Sequence, residues 1–523
     1  MKILMVYPKY PDTFWSFKHA LKFISKKSAL PPLGLVTIAS YLPSTWDVKL
    51  VDMNCKKLKD EDIKDSDYVF ISAMTIQRES SEDVIKRCNE LNVPVIVGGP
   101  LFTMEPDNFQ DADHFVLGEA EEIMSELVKD IDNNHVKRYY ASPKFPDITK
   151  NLVPKWELLN LGNYASMSIQ YSRGCPYNCE FCDIGALNGR VPRVKTPEQI
   201  VQEIQALYDA GWGKSRSSIF FVDDNFIGKK AVLKREVLPL IIDWQKAHNY
   251  PFTFYTEVSI DLSDDDELMS LMSEAGFDRV FVGIETPDTG SLQEANKIQN
   301  VKHDLKKSVE KLQSFGFDVQ GGFIVGFDSD RPTIFKRQFD FIQKTGIVTA
   351  MAGILNAPRG SDLYGRMKRE NRLIGEITGD NVDLFTNFIP KMNVKTLVSG
   401  YKELVARLYS PKNYYERLKK FLLTYNLPRI SRPKINFTDV RAFLRSIVVI
   451  GIFGKERKEY WKLLGWSLFK RKKYFPTAVT FAIYGYHFRK IAERIFKEPI
   501  EPILKKFSLA EYKLKKSRKP ITL

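Results

Sequence analysis

Short apolar runs alternate with amphipathic stretches through the first 135 residues. "KILMVYP", "DVKLVDM", "DYVFISAM", "VPVIVGG" and "HFVLGE" are strand-like, and "SEDVIKRCNEL" between two of them has helical spacing. Strand–helix alternation predicts an open, doubly wound parallel sheet over residues 1–135, a Rossmann-like α/β domain. Ligands of such sheets bind at the carboxyl ends of the strands. Those ends carry Tyr7-Pro8, Ser72-Ala73, Gly98-Gly99-Pro100 and Gly118-Glu119.

Residues 136–165 hold scattered prolines and little periodicity, and read as a linker. Alternation resumes over 166–370 in "SMSIQYSRG", "SIFFVDD", "FTFYTEV", "RVFVGIE", "DVQGGFIVGF" and "TAMAGILNAP", separated by helical stretches such as "PEQIVQEIQALYDAG". Six such units predict a partial β/α, TIM-like barrel with its site at the C-terminal strand ends. From 371 to 523 the pattern turns basic, aromatic-rich and mainly helical.

A chain of 523 residues, 44% of them hydrophobic, has material for about three domains. Five cysteines, odd in number and mostly clustered, do not read as a secreted disulfide framework and fit a reducing cytoplasm. The start "MKILMVYP" reads as a strand, not a signal peptide. The longest apolar runs, "SIVVIGIFG" and "PTAVTFAIYGY", fall short of the ~18–20 residues that cross a bilayer. A cytoplasmic protein, soluble or peripheral at the inner membrane face, is expected. The net charge of +14 is uneven: residues 400–523 hold 30 Lys/Arg against 9 Asp/Glu, and the rest 48 against 55. An anionic partner should therefore be sought at the C-terminal end.

"RGCPYNCEFCDIG" places Cys175, Cys179 and Cys182 within eight positions. Three thiolates can ligate three corners of a cubane [4Fe–4S] cluster, which normally takes four. The open fourth corner leaves an iron for a small molecule to chelate. The rival is a structural zinc, which wants four ligands in a closed tetrahedron. With His135 and His248 the nearest histidines and no second cysteine pair, zinc needs a distant ligand.

The spacing Cys175-x3-Cys179-x2-Cys182, with Phe181 before the last cysteine, resembles the radical SAM superfamily. The resemblance runs to about residue 365 through the strand ends "FFVDDNF", "YTEVS", "VGIET", "GGFIVGF" and "NAPRGSDLY". It implies S-adenosylmethionine (SAM) on the open iron, with Phe181, Asp223, Asp224, Glu257 and Glu285 as candidates to bind SAM or substrate. Read from the residues alone, strand-end carboxylates also cap neighbouring helices. The first domain resembles the cobalamin-binding domains that precede such barrels, through Ser72-x-Met74 and Gly98-Gly99. That implies a cobalamin held by Ser72, Gly98, Gly99 and Glu119, although a tight turn explains the glycines equally well. The loop "PKYPDTFWSFKHAL" lacks the Asp-x-His-x-x-Gly of the cobalamin mutases, and His19 lies too far on, so the lower face of cobalt should have no histidine.

The opening "PDTFWSFKHALKFISKKSALPPLGLVTIASYLP" and the basic tail are similar to the cobalamin-binding radical SAM subgroup that includes the hopanoid methylases. This implies C-methylation at an unactivated carbon of a lipid-like or secondary-metabolite substrate, with electrons from a flavodoxin or ferredoxin. The alternatives are a radical rearrangement or ring-forming enzyme with the same cofactors, and a cobalamin- or SAM-sensing binding protein. "EYWKLLGWSLFKRKKYFP" mixes Trp461, Trp466, Leu463, Leu464, Leu468 and Phe469 with a basic run at 470–473, and Pro476 is expected to end its helix. It suits a helix lying in anionic headgroups, or equally a bundle helix with a solvated basic face. No nucleic-acid motif is present, and no nucleic-acid partner is expected.

Overall fold

The computed structural model describes residues 1–213, 217–427 and 436–517, with side chains to residue 513. It divides into two compact units. The first holds Met1–Leu21, Ser25–Pro176 and Ile184–Phe254; the second holds Lys22–Ile24, Tyr177–Asp183 and Tyr255–Leu523.

In the first unit, β1 (Lys2–Tyr7), β2 (Asp47–Asp52), β3 (Tyr68–Ser72), β4 (Val95–Gly98), β5 (His114–Leu117) and β6 (Tyr139–Ala141) form one parallel sheet in the order β2-β1-β3-β4-β5-β6. The order reverses at β1, which opens a crevice between the ends of β1 and β3. Helices cover both faces, so the central strands are apolar on both sides. Ile3, Leu4, Met5 and Val6 are all buried, and Val69, Ile71, Val95 and Val97 pack with Val84, Ile85 and Cys88 of the helix Arg78–Glu90. β6 comes from the stretch expected to be a linker. With Tyr140 alone buried among its three residues, it is too short to show a period.

β7 (Ser166–Ile169) begins the barrel strands. A short antiparallel ribbon, β8 (Ser172–Arg173) with β9 (Arg193–Val194), follows it, and β10 (Ser217–Phe221) returns to pair with β7 in parallel. β11 (Phe252–Val258) starts in the first unit and runs into the second. There β12 (Phe277–Glu285), β13 (Asp318–Val325) and β14 (Ala350–Ile354) follow in order, the last three parallel. Parallel strands β7 and β10 to β14 make the half-barrel that the alternation predicts.

β14 is the edge strand, and an edge leaves backbone groups without a ladder partner. The C-terminal helices supply partners. Tyr401, on the helix Val394–Leu408, donates to the Ala352 carbonyl at 2.9 Å, and Tyr409 donates to the Ala350 carbonyl at 2.7 Å. The fully buried Arg417 donates to Gln343 Oε1 at 2.6 Å and to the Leu408 carbonyl at 3.0 Å. Among the described residues, no helix is long and apolar enough to cross a membrane.

Pro476 does not end a helix, contrary to expectation. The helix Arg457–Lys470 stops before it, and Pro476 sits in the first turn of Phe475–Lys497, where an amide has no intrahelical acceptor to lose. Within that second helix, Gly485 lies against the Tyr414 ring, whose hydroxyl donates to the Phe481 carbonyl at 2.7 Å. A Cβ at Gly485 overlaps the ring. Gly485→Ala, a favourable change by helix propensity, should therefore destabilise the protein by about 1–3 kcal/mol through overpacking. Chemical denaturation of the two proteins measures this, and equal or greater stability of the variant contradicts the packing account.

Candidate active site

The first unit builds the entry to the cysteine loop. Arg173, on β8, places Nη1 2.6 Å from Glu119 and Nη2 2.6 Å from Glu121, with Nε donating to Gln170 at 2.8 Å. Arg193, on the partner strand β9, also binds Glu119, and donates to the Pro146 carbonyl at 2.9 Å and the Asn188 carbonyl at 3.1 Å. These groups are largely buried. Burial alone would raise the Glu121 carboxyl, but Arg173 outweighs it and holds the pKa below the usual range. Gly174 follows at φ +94, and a Cβ there meets the Asn188 and Gly189 carbonyls at 2.9 Å each. Only glycine fits before Cys175, whose amide donates to Gly189 at 3.2 Å.

Asp223 and Asp224 serve the same loop. Asp223 accepts the amides of Ser172 and, at 3.3 Å, Tyr171; burial pushes its carboxyl up to about 7 in spite of those bonds. Asp224 accepts the Gly174 amide at 2.7 Å and the Asn188 side chain at 2.9 Å. Both carboxylates thus hold amides of the strand β8 and its flanking residues, not the start of a helix.

The second unit holds the rest of the loop. The Glu180 amide donates to the Ala295 carbonyl at 2.9 Å, and its carboxylate takes Arg366 at 2.6 and 2.9 Å. Phe181 packs edge-on to Phe327, with ring centroids 6.3 Å apart. Gln299 Nε2 reaches Cys179 Sγ at 3.6 Å. Lys297 Nζ lies 2.5 Å from Glu285 and 5.7 Å over the Phe181 ring. Burial works against the Lys297 ammonium, but Glu285, Cys179 and Cys182 outweigh it and raise its pKa. Glu285 ends β12 in the left-handed region at φ +60, after a register shift in the strand pair. Glu257 is half-buried on β11.

The chemistry of this donor set fits an iron–sulfur cluster. Cys175, Cys179 and Cys182 are half-buried thiols. A cubane takes its thiolates at separate corners, and three of them leave one iron for a small molecule. A buried cation and an amide donor beside the sulfurs suit a cluster that must accept an electron. Lys297, Gln299, Arg173 and Arg193 were not legible as site residues. The arginines flank the cysteine motif, which is a usable signal; Lys297 follows Glu285 by twelve positions with none.

Ser72, Gly98 and Gly99 come together at the ends of adjacent strands, Ser72 opposite Gly98 in register. Gly99 sits at φ +89, and a Cβ there would be 2.8 Å from Ser72 Oγ. At Gly118, the end of β5, a Cβ meets nothing within 4 Å. Packing against Ser72 and Ala73 thus requires glycine at 99, while the open space at Gly118 leaves room for a ligand beside the backbone. His19 pairs with Asp12 at 3.1 Å.

Profiles of three families match consecutive parts of the chain: the B12 binding domain at 23–128, the radical SAM superfamily at 169–333, and a domain of unknown function (DUF4070) at 361–500. An uncharacterized methyltransferase of Synechocystis sp. is 38% identical, over 95% of this chain and 93% of its own. The hopanoid C-2 methylase of Rhodopseudomonas palustris is 34% identical over 88% of each. In fold, the chain is similar to the radical SAM methyltransferase TsrM of Kitasatospora setae, solved with cobalamin and a [4Fe-4S] cluster (TM-score 0.63, 14% identity, 93% of this chain and 99% of that one). With these relatives along nearly its whole length, the chain belongs to the cobalamin-binding radical SAM family. Within it, this protein is a radical SAM methyltransferase that uses a [4Fe–4S] cluster, SAM and cobalamin.

Replacing Cys175, Cys179 or Cys182 with Ala should abolish the cluster's absorption, whereas Cys55→Ala should leave it intact. Lys297→Met should keep the cluster but lower its reduction potential by something on the order of tens of millivolts, since a buried positive charge favours the reduced form. Spectroelectrochemistry decides, and an unchanged potential removes Lys297 from the cluster's electrostatics. For cobalamin, Gly99→Leu should eliminate binding by forcing a side chain into Ser72 and Ala73. His19→Ala should leave the cobalt spectrum unchanged, and a spectral change on that substitution would refute a histidine-free lower face.

Proposed function

We propose that the enzyme transfers a methyl group to an unactivated carbon of a lipid-like substrate, a secondary metabolite being the alternative, and works in the cytoplasm or at the inner membrane face. The 34% identity to a hopanoid C-2 methylase over 88% of both chains carries this reading. The basic C-terminal region supports membrane contact, because it holds 30 of the 78 Lys/Arg residues.

Bound together, the cofactors supply a radical that removes hydrogen from carbon and a methyl carrier that refills the position. The chain's own residues position and shield. Ser72, Gly98 and Gly99 give the cobalamin tail a path along backbone. Glu285, held by Lys297, presents a carboxylate at the end of β12 to SAM, and Phe181 walls the cluster loop. Glu257, at the end of β11, faces SAM or substrate in the same reading. Glu119, Asp223 and Asp224 act one step back, by fixing Arg173, Arg193 and the backbone before Cys175. A one-electron donor of the flavodoxin or ferredoxin type reduces the cluster.

Product counting tests the reaction. C-methylation of this kind consumes two SAM molecules per product, one to make the radical and one to restore the methyl carrier. 5′-Deoxyadenosine and S-adenosylhomocysteine should accordingly form in equal amounts, with labelled methyl in the organic product. Deoxyadenosine without homocysteine indicates a rearrangement; neither product above background indicates a sensor.

A further inference from the structure

The helix Phe437–Ser446, continued by a wider turn through Ile452, has its bulky apolar residues on the solvent side. Ala442, Ser446 and Ile450, four apart, face inward and are buried. Phe437, Val440, Leu444, Val448 and Ile452 recur at spacings of three and four on the opposite face, and Phe453 follows them. Their exposures are 80%, 44%, 56%, 46%, 51% and 78%.

This row is not a loosely attached segment. Ser446 Oγ and the Tyr460 hydroxyl are 2.7 Å apart, and Trp461 Nε1 donates to the Gly451 carbonyl at 2.9 Å. Arg445 Nη1 donates to the Lys22 carbonyl at 2.8 Å. The neighbouring helix adds Trp461 at 48% and Phe469 at 89% exposure. A contiguous exposed apolar row of this kind marks a binding surface.

Charge selects the partner. Residues 437–475 contain ten Lys/Arg and three Asp/Glu, and one of the three, Glu456, is buried against Arg489 at 2.9 Å. Protein interfaces are depleted of lysine, whereas aromatic and aliphatic side chains flanked by Lys and Arg match the depth profile of a headgroup layer. With no described helix able to cross a bilayer, lodging at the interface is the mode left to these residues. We propose that the exposed face of residues 437–453, together with Trp461 and Phe469, docks on an anionic lipid bilayer with its apolar row at the acyl boundary and its cations among the headgroups. This deepens the membrane contact proposed above and rests on it. It also moves the main contact from the helix at 457–470 to the one before it.

Flotation of the full-length holoenzyme with vesicles tests the assignment. Vesicles of phosphatidylcholine containing about 30% phosphatidylglycerol should carry the protein at least tenfold better than phosphatidylcholine alone, with the difference shrinking at about 0.5 M salt as headgroup attraction is screened. The pair Leu444→Ser and Phe453→Ser should lose binding tenfold or more, with an unchanged circular dichroism spectrum and unchanged cleavage of SAM in solution. Phe469→Ser, at the most exposed position, gives a second reading if that pair folds poorly. Failure of the native protein to float, equal flotation of the variants, or a concentration-dependent dimer that the variants abolish would overturn the proposal. Failure of the native protein to float, with its SAM cleavage and methyl transfer intact, refutes docking alone. Flotation without any methyl transfer refutes the proposed reaction alone.

Discussion

The ion-pair network of Arg173 and Arg193 with Glu119 and Glu121 is the constraint on which the cysteine loop depends. Arg173 stands two residues before Cys175, and its guanidinium fork is taken by two carboxylates that follow β5 of the first sheet. Buried charges persist only when paired, and removing one partner of such a pair costs about 3–5 kcal/mol. The cobalamin-binding sheet and the start of the cluster loop are therefore tied by groups that cannot separate cheaply. An enzyme that would bring two bound cofactors to bear on one substrate gains from such fixed placement, because small misplacements cost rate.

The same logic recurs around the rest of the loop. Asp223, Asp224 and Gly174 fix backbone ahead of Cys175, and Arg366 with Glu180 fixes it between Cys179 and Cys182. Several carboxylates at the strand ends thus hold the framework, while Glu285, paired with Lys297, is aimed by a left-handed backbone position. Arg–carboxylate forks suit this work because two parallel hydrogen bonds define direction as well as distance.

The C-terminal helices answer a different problem. A half-barrel leaves an edge strand, and Tyr401 and Tyr409 bond to the β14 carbonyls that a closed barrel would have paired. Having covered that edge with one side, the helical region turns a basic, apolar-studded surface outward. Structural cover and the exposed apolar row fall on different faces of the same helical region.

What the sequence determined by itself is what depends on local pattern. Strand–helix alternation set both α/β domains, and the spacing of Cys175, Cys179 and Cys182 pointed to the radical SAM family. These are legible because periodicity and covalent spacing act within a few residues. The strand Tyr139–Ala141 escaped because three residues carry no period. The placement of Pro476 was misread because proline stops one helix and starts the next by the same loss of an N–H. Only the tertiary structure decided that Glu119 clamps two arginines 54 and 74 positions away, and that Lys297 backs Glu285 beside two of the cysteines. It also decided that the bulky face of residues 437–453 turns outward. A helical period defines two faces but does not say which one the rest of the chain will cover; that depends on contacts distant in sequence, and those are fixed only when the whole chain packs.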